Sequence, residues 1–265
     1  MATQPGFEPP TRLFHVALRL EGRACLVVGG GSVGAVKAAG LLECGALVTV
    51  VAPEICAAME KLCLQGDSGG AGRDSGGAGR RPRLALSSVE RRPYRAGEAA
   101  EYRLVMAATG RTEVDRQVFE DAEAAGVPVN AADDPGSCSF FMPAVSHVGP
   151  IAVAVSTGGV SPFLAGWVKR RIGEALPATV ALLAEIVGTA RVAVRSAGVS
   201  SEGLDWSGLV DDTVWPLLEC GDIVAARSAA SAWVASVLEA QGPSDATAHH
   251  SPALASPRAN RRDRP

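Results

Sequence analysis

The feature that most constrains this chain is a glycine-rich turn between an apolar run and a helix-like stretch. Residues 24–28, ACLVV, have the composition of a buried strand, and Gly29, Gly31 and Gly34 follow with the spacing Gly-x-Gly-x-x-Gly. Glycine lets the backbone tighten and approach a pyrophosphate, while the free N–H groups of the next helix favour an anion. Because strand and helix patterns flank the turn, it predicts a dinucleotide site with NAD as cofactor.

Strand-like and helix-like segments continue to alternate after this turn. Strands are predicted at 46–53, 83–88, 102–109 and 127–133, and a helix at 112–126. Such alternation predicts an α/β fold of the Rossmann type, with a doubly wound parallel sheet. One more apolar strand is expected at 150–157, and the pattern from 177 to 240 is helical apart from a break near 198–203.

Four regions follow from these patterns. We expect an NAD-binding Rossmann domain over 1–134, a dimerisation and substrate segment over 135–176, a helical domain over 177–241 and a disordered tail over 242–265. The heptapeptide DSGGAGR occurs twice in succession between Asp67 and Arg80. We interpret 66–83 as a flexible surface insert, because it is too polar and glycine-rich to bury. The seven arginines from Arg73 to Arg95 leave contact with RNA or a membrane surface as alternatives, which the lack of an aromatic-rich platform disfavours.

Composition excludes several other classes of protein. With 47% hydrophobic residues, 20% charged residues and a net charge of −3, the chain is typical of a soluble globular protein and not of one that coats nucleic acid. Its six cysteines form no Cys-x-x-Cys pair, no signal-peptide pattern opens the sequence, and no apolar stretch approaches the roughly 20 residues of a membrane span. We expect a cytoplasmic protein with no membrane partner. His15 and His147 are isolated, so we predict no metal site.

In an open α/β sheet the ligand lies beyond the carboxyl ends of the strands, so the residues after each strand should meet in one crevice. Cofactor contacts are predicted for Gly29, Gly30, Gly31, Ser32, Val33, Gly34, Ala52, Pro53, Ala108 and Thr109. The second strand ends in Ala52 and Pro53, with Glu54 displaced, so this position leaves NAD and NADP as alternatives.

Two further strand ends carry candidate chemistry. Asp133 and Asp134 are the carboxylates at these ends; either they supply a general base or the Asp-Asp-Pro-Gly sequence is only a turn, which composition alone favours. A second glycine turn, Thr157-Gly158-Gly159, precedes a helix start at Ser161 and suits an anionic substrate. The basic run from Lys169 to Arg171 either meets substrate carboxylates or forms a solvated helix face.

Several blocks together resemble the precorrin-2 dehydrogenase family, the dehydrogenase and ferrochelatase module of sirohaem synthases. They are LEGRACLVVGGGSVGAVKAAGLLECGALVTVVAPE, VMAATG, VNAADDPGSCSFFMPA and GPIAVAVSTGGVSPFLA, which cover about residues 13–177 apart from the insert. No segment resembles the methyltransferase half of the fused synthases, so we expect a free-standing module.

The resemblance implies NAD-dependent oxidation of precorrin-2 to sirohydrochlorin by a homodimer, and some members also insert Fe²⁺ to form sirohaem. The family's Asn-x-x-Asp motif falls on Asn130 to Asp133, which makes Asp133 the expected catalytic proton acceptor. Substrate contacts are expected at Asn130, Ser139, Ser156, Thr157, Gly158, Gly159, Ser161 and Lys169. The alternatives are the bifunctional enzyme that also chelates iron, with Fe²⁺ as substrate, and a non-catalytic NAD(H)-sensing module.

Overall fold

The computed structural model describes residues 13–64, 86–132 and 134–241. The predicted insert at 66–83, the predicted tail at 242–265 and Asp133 lie outside the described residues.

A parallel sheet of five strands forms the first part of the molecule. Its strands are β1 (Ala24–Val28), β2 (Leu47–Val51), β3 (Ser88–Glu90), β4 (Leu104–Ala107) and β5 (Val129–Ala131), in the spatial order β3-β2-β1-β4-β5. The order reverses between β1 and β4, which creates a switch point at the carboxyl ends of these two strands. The predicted Rossmann-type α/β fold is confirmed. The third strand begins at Ser88, at the end of the predicted span 83–88.

Helices cover both faces of this sheet and complete two apolar layers. Helices α1 (Ser32–Glu43) and α2 (Ala57–Leu64) pack on one face through buried residues that include Leu42 and Met59. Helix α3 (Thr112–Ala124) covers the other face with two buried residues one turn apart, Val118 and Ala122. Because β1 and β4 are buried on both faces, their sequences are continuous apolar runs.

A separate two-stranded sheet follows, and here one expectation was wrong. Strands β6 (Ala144–Val148) and β7 (Ile151–Val155) pair with each other across a two-residue connection and do not join the parallel sheet. The strand at 150–157 was expected to end at the edge of the parallel sheet, and β6 was not predicted. Along both strands exposed and half-buried residues alternate, the pattern of a ribbon covered on one side only.

The chain divides into two compact units. Unit 1 comprises Met1–Val145 and Ala154–Lys169, and unit 2 comprises Ser146–Val153 and Arg170–Pro265. This division splits the predicted segment 135–176, because helix α4 (Pro162–Ala175) and the β6–β7 sheet each contribute to both units. The four predicted regions stay a prediction.

Unit 2 is mainly helical around its own core. Its helices are α5 (Thr179–Ser196), α6 (Trp215–Glu219) and α7 (Ile223–Gln241), and a π-helical segment, Gly208–Val214, precedes α6. Buried residues from each of these elements form the core: Ile186, Ala190, Leu209, Val214, Leu218, Ala226 and Ala230.

Within the described ranges, α7 is long and apolar enough to cross a membrane, with 19 residues and a mean hydropathy of 1.2. This corrects the expectation that no apolar stretch approaches such a length. Ala226 and Ala230 of this helix belong to the core of unit 2, and the ring centroids of Trp233 and Trp206 lie 4.9 Å apart. Core helices of soluble proteins have the same length and composition, so one such helix is weak evidence for a membrane span.

Candidate functional site

A cavity of about 640 Å³ lies at the carboxyl ends of β1 and β2, in unit 1. Six of the predicted cofactor residues line it: Gly29, Gly30, Gly31, Ala52, Pro53 and Thr109. Glu54, which the sequence analysis set aside as displaced, lines it too, and so does Arg111. An acidic side chain after the second strand is the usual partner of ribose hydroxyls in NAD sites.

The backbone around the first glycine turn explains two of its glycines. Gly29 has φ of +122°, and a Cβ there would overlap the carbonyl oxygen of Ala108. A Cβ on Gly30 would overlap the carbonyl oxygen of Glu54. The Gly29 N–H donates to the Val51 carbonyl over 3.0 Å, and the Gly30 carbonyl accepts from Cys56 N–H over 2.8 Å. The protein's own packing therefore requires these two glycines.

Gly31 is different, because nothing in its own surroundings requires a glycine. It caps α1 with φ of −75°, which any residue can adopt, and apart from its chain neighbours no described protein atom lies within 4 Å of an added Cβ. The space beside it belongs to the cavity, next to the N–H groups that begin α1. These residues fit a dinucleotide whose pyrophosphate approaches the backbone at Gly31.

Four predicted cofactor residues stand beside the cavity without lining it. Gly34 lies in α1, where an added Cβ would overlap the Gly29 carbonyl oxygen, and Ala108 closes against Gly29. Ser32 and Val33 are exposed in the first turn of α1. Gly34 and Ala108 thus pack against the turn on the side away from the cavity. Direct contact of Ser32, Val33, Gly34 and Ala108 with the cofactor stays a prediction.

Asp121 holds one wall of this cavity together. Its carboxylate accepts hydrogen bonds from Tyr94 Oη at 2.9 Å, Gly97 N–H at 2.7 Å and Gln117 Nε2 at 2.9 Å. Desolvation alone would raise the pKa of Asp121, but these three bonds outweigh it and lower the pKa. Burial and the bond to Asp121 raise the pKa of Tyr94, so its hydroxyl stays a donor.

Thr109 has a structural role as well as a place in the cavity wall. Its hydroxyl donates to Asp115 Oδ1 over 2.8 Å and accepts from Arg111 N–H over 3.0 Å. These bonds fix the loop that leads from β4 into α3.

A second cavity of unit 1, of about 270 Å³, contains several of the predicted substrate residues. Its wall consists of Lys37, Asn130, Ala131, Ala132, Pro135, Cys138, Phe141, Met142, Val155, Ser156, Thr157, Gly159, Pro162 and Ala165. Asn130, Ser156, Thr157 and Gly159 are thus brought together as the sequence analysis expected.

Lys37 is the functional candidate that the sequence analysis missed. It lies on α1, and its Nζ donates to Asn130 Oδ1 over 2.7 Å. Asn130 is only 7% exposed, and its Nδ2 donates to the Phe140 carbonyl over 3.0 Å. Since an ammonium group can only donate, Lys37 fixes the orientation of the Asn130 amide. The sequence signal was a lysine in the apolar helix that follows the glycine turn.

Hydroxyl groups build the second glycine turn. Thr157 Oγ1 accepts from Ser161 N–H over 3.1 Å and donates to the Ser161 carbonyl over 3.2 Å. Ser161 Oγ accepts from Leu164 N–H over 3.1 Å, as an N-cap of α4 does, so its side chain has a structural role. Gly158 and Gly159 adopt φ of +61° and +87°.

Asp134 forms the turn that composition favoured. Its Oδ1 accepts from Gly136 N–H over 3.0 Å, and its Oδ2 accepts from the Ser137 hydroxyl over 2.6 Å. Asp134 alone therefore accounts for the Asp-Asp-Pro-Gly turn. Ala132, the residue before Asp133 in the sequence, lines the second cavity. The catalytic role of Asp133 stays a prediction.

The remaining predicted substrate residues do not line the second cavity. Ser139 binds the backbone of β5, where its Oγ accepts from Val129 N–H over 2.9 Å. Lys169 is half-buried on α4, one turn after Ala165, and Arg171 pairs with Glu174 over 3.3 Å. Gly158 and Ser161 belong to the second glycine turn but do not line the cavity either. Contact of these four residues with substrate stays a prediction.

The described residues contain no group of three or more His, Cys, Asp and Glu side chains that could hold a metal ion. Cys138 in the second cavity is a neutral thiol, because burial raises its pKa more than the Ala131 bond and the Lys37 charge lower it.

The fold and the first cavity define an NAD(P)-binding Rossmann domain. In agreement, a family model described as NAD(P)-binding matches residues 16–144, and a second, described as sirohaem biosynthesis protein central, matches residues 148–175. The expected NAD cofactor is thereby confirmed at the level of an NAD(P)-binding domain. The two matches in succession confirm the resemblance found in the sequence to the precorrin-2 dehydrogenase family, the module of sirohaem synthases.

Curated relatives agree with this resemblance, and a solved structure has the same fold. The chain is 32% identical over 246 residues to the sirohaem synthase of Methylococcus capsulatus, covering 87% of this chain and 48% of that protein. It is 37% identical over 180 residues to the sirohaem synthase of Methylobacillus flagellatus, covering 68% of this chain and 34% of that protein. The chain thus spans half or less of the length of these relatives. The fold matches SirC, a precorrin-2 dehydrogenase, with a TM-score of 0.60 and 22% identity, over 86% of this chain and 100% of that one.

Proposed function

We propose that the chain catalyses the NAD-dependent dehydrogenation of precorrin-2 to sirohydrochlorin in sirohaem biosynthesis. The observation that carries this proposal is the pairing of two cavities in unit 1. One is built around a glycine turn that fits a dinucleotide, and the other is lined by Lys37, Asn130 and the second glycine turn, which suit an anionic substrate. The matched relatives are bacterial sirohaem synthases, and the structural neighbour is a precorrin-2 dehydrogenase.

The reaction removes two hydrogens from the macrocycle, one as a hydride and one as a proton. Bound NAD supplies the hydride acceptor. Gly31 and the first N–H groups of α1 hold its pyrophosphate, and Asp133 accepts the proton. Ser156 and Thr157 orient the substrate through its carboxylates. Insertion of Fe²⁺ into the product, as in the bifunctional members of the family, is the second activity to be tested.

We also propose that the protein is a cytoplasmic homodimer with no nucleic-acid or membrane partner. Segment 142–167 supports the dimer, because large apolar side chains are exposed along it and Phe163 is 77% exposed. The others are Met142, Val145, Val160, Leu164 and Trp167. An isolated two-stranded sheet such as β6–β7 is also marginal in water without a covering partner. A Phe163→Glu variant should sediment as a monomer, whereas a dimer as stable as the unsubstituted one would place the interface elsewhere.

An anaerobic assay with enzymatically generated precorrin-2 and NAD⁺ tests the proposed activity. NADH formation together with a sirohydrochlorin spectrum is the expected result. Fe²⁺ or Co²⁺ added after this phase tests chelation against the uncatalysed rate. If NAD(H) binds but neither NAD⁺ nor NADP⁺ is reduced in the presence of precorrin-2, the protein is instead an NAD(H)-sensing module.

A further inference from the structure

Lys37 has a distinctive position in the second cavity. It is the one charged side chain among the described residues that line this cavity. The sequence contains two other lysines, Lys61 and Lys169, and neither contributes to the lining. Any anionic group that enters this part of the cavity therefore meets the Lys37 ammonium as its nearest lining cation.

The position of this ammonium is fixed before a ligand arrives. Lys37 Nζ lies 2.7 Å from Asn130 Oδ1 and 3.8 Å from Met142 Sδ. Asn130 is itself held by the Phe140 carbonyl at 3.0 Å and by Cys138 Sγ at 3.4 Å. A lysine normally loses much side-chain entropy when it binds a ligand, and anchoring it in advance reduces that loss.

The size of the cavity limits what binds beside Lys37. About 270 Å³ is below the roughly 300–1,000 Å³ of sites that enclose a whole drug-sized ligand. The cavity therefore accommodates one edge of a macrocycle with its acidic side arms. Apolar residues such as Phe141 and Val155 line the cavity, and Ser156 and Thr157 line it too, with polar groups that are further partners for an acid.

We propose that Lys37 is the residue that anchors a substrate carboxylate, and that its bond to Asn130 positions the ammonium for this contact. This inference rests on the proposed function, because it takes the polycarboxylated tetrapyrrole as the ligand. It assigns the main cationic contact to α1 of the nucleotide-binding domain and not to the basic run 169–171 on α4.

The three lysines provide a matched set of variants, Lys37→Met, Lys61→Met and Lys169→Met. For Lys37→Met we expect KM for precorrin-2 to rise about tenfold to a hundredfold, equivalent to about 1.4 to 2.8 kcal/mol, while the Kd for NAD⁺ stays unchanged. Lys61 is exposed on α2 away from the cavity, so Lys61→Met should leave both constants unchanged. A larger rise in KM for Lys169→Met than for Lys37→Met would overturn the assignment.

Two further variants separate anchoring of the substrate from mere support of Asn130. Lys37→Arg keeps the positive charge, and Lys37→Gln keeps an N–H donor for Asn130 without the charge. We expect Arg to recover most of the affinity and Gln to behave like Met. Recovery by Gln and not by Arg would show that Lys37 acts only through Asn130 and would refute the anchoring role.

Binding of uroporphyrin, a stable polycarboxylated macrocycle, distinguishes failure of this inference from failure of the proposed function. Fluorescence titration at two salt concentrations should show weaker binding and a smaller salt dependence for Lys37→Met than for the unsubstituted protein. This holds even if precorrin-2 is not oxidised, in which case only the proposed activity fails. Equal uroporphyrin affinity of both proteins, with precorrin-2 oxidised normally, refutes the Lys37 assignment alone.

Discussion

The two glycine turns of unit 1 precede helices in a similar way but are stabilised by different groups. At Gly29 and Gly30, main-chain bonds to Val51 and Cys56 hold the turn, and neighbouring carbonyl groups exclude a Cβ. At 157–161, side-chain hydroxyls of Thr157 and Ser161 make the bonds. The first turn therefore depends on the absence of a Cβ at its glycines, and the second turn depends on the side-chain hydroxyls of Thr157 and Ser161.

The largest effect on activity should come from substitution of Asp133, the proposed proton acceptor, because the two turns only bind cofactor and substrate. Asp133→Asn should lower kcat for precorrin-2 oxidation by about 10²- to 10⁴-fold, the usual contribution of a general base, with NAD⁺ affinity and melting temperature retained. Asp134→Asn is the matched control, because its side chain serves the turn with Gly136 and Ser137. Kinetics of both variants check this, and full turnover by Asp133→Asn would falsify the proton-acceptor role.

Within the first turn, alanine at Gly29 should reduce stability, whereas alanine at Gly31 should reduce NAD⁺ affinity. Gly29→Ala combines a positive φ with a backbone overlap, so we expect a loss of more than about 2 kcal/mol in unfolding free energy. Denaturant titration measures this loss. An unfolding midpoint equal to that of the unsubstituted protein would contradict the close approach of Ala108.

Gly31→Ala should leave the unfolding free energy within about 0.5 kcal/mol, because its φ is ordinary and its Cβ position is open. The added methyl group would instead obstruct the pyrophosphate, and we expect a loss of NAD⁺ affinity of about tenfold, or about 1.4 kcal/mol. Calorimetric titration with NAD⁺ provides the measurement. Undiminished affinity would mean that the dinucleotide does not approach the backbone at Gly31.

Removal of a hydroxyl from the second turn should lower the unfolding free energy less than replacement of Gly29 in the first turn. Thr157→Val eliminates both bonds to Ser161, and we expect a loss of about 1 kcal/mol in unfolding free energy. Thr157→Ser keeps the hydroxyl and should recover most of it. Thermal unfolding of the pair distinguishes the hydroxyl from the methyl group; equal losses would assign the effect to packing.

How much the sequence could predict depends on whether a feature follows from neighbouring residues or from distant ones. Parallel strands with buried, continuous apolar runs, such as β1 and β4, were predictable because their pattern depends only on local burial. The place of β7 was not, because an apolar strand of the same composition can pair with β6 or join the larger sheet. Lys37 was missed since its role depends on Asn130, 93 residues away in sequence.

The smallest predicted effect concerns the wall of the first cavity that Asp121 holds. A lowered pKa means that the folded protein binds a proton less readily than the unfolded chain. The stabilisation is therefore complete above the unfolded carboxyl pKa, near 3.8, and is lost as pH falls through the lower folded pKa. The unfolding free energy of the unsubstituted protein should exceed that of Asp121→Asn at pH 7, and this difference should shrink on acidification below about pH 4. Urea titrations of both proteins between pH 7 and pH 3 measure this difference in unfolding free energy. A difference that stays constant over this range would show that the bonds from Tyr94, Gly97 and Gln117 stabilise the wall independently of the charge on Asp121.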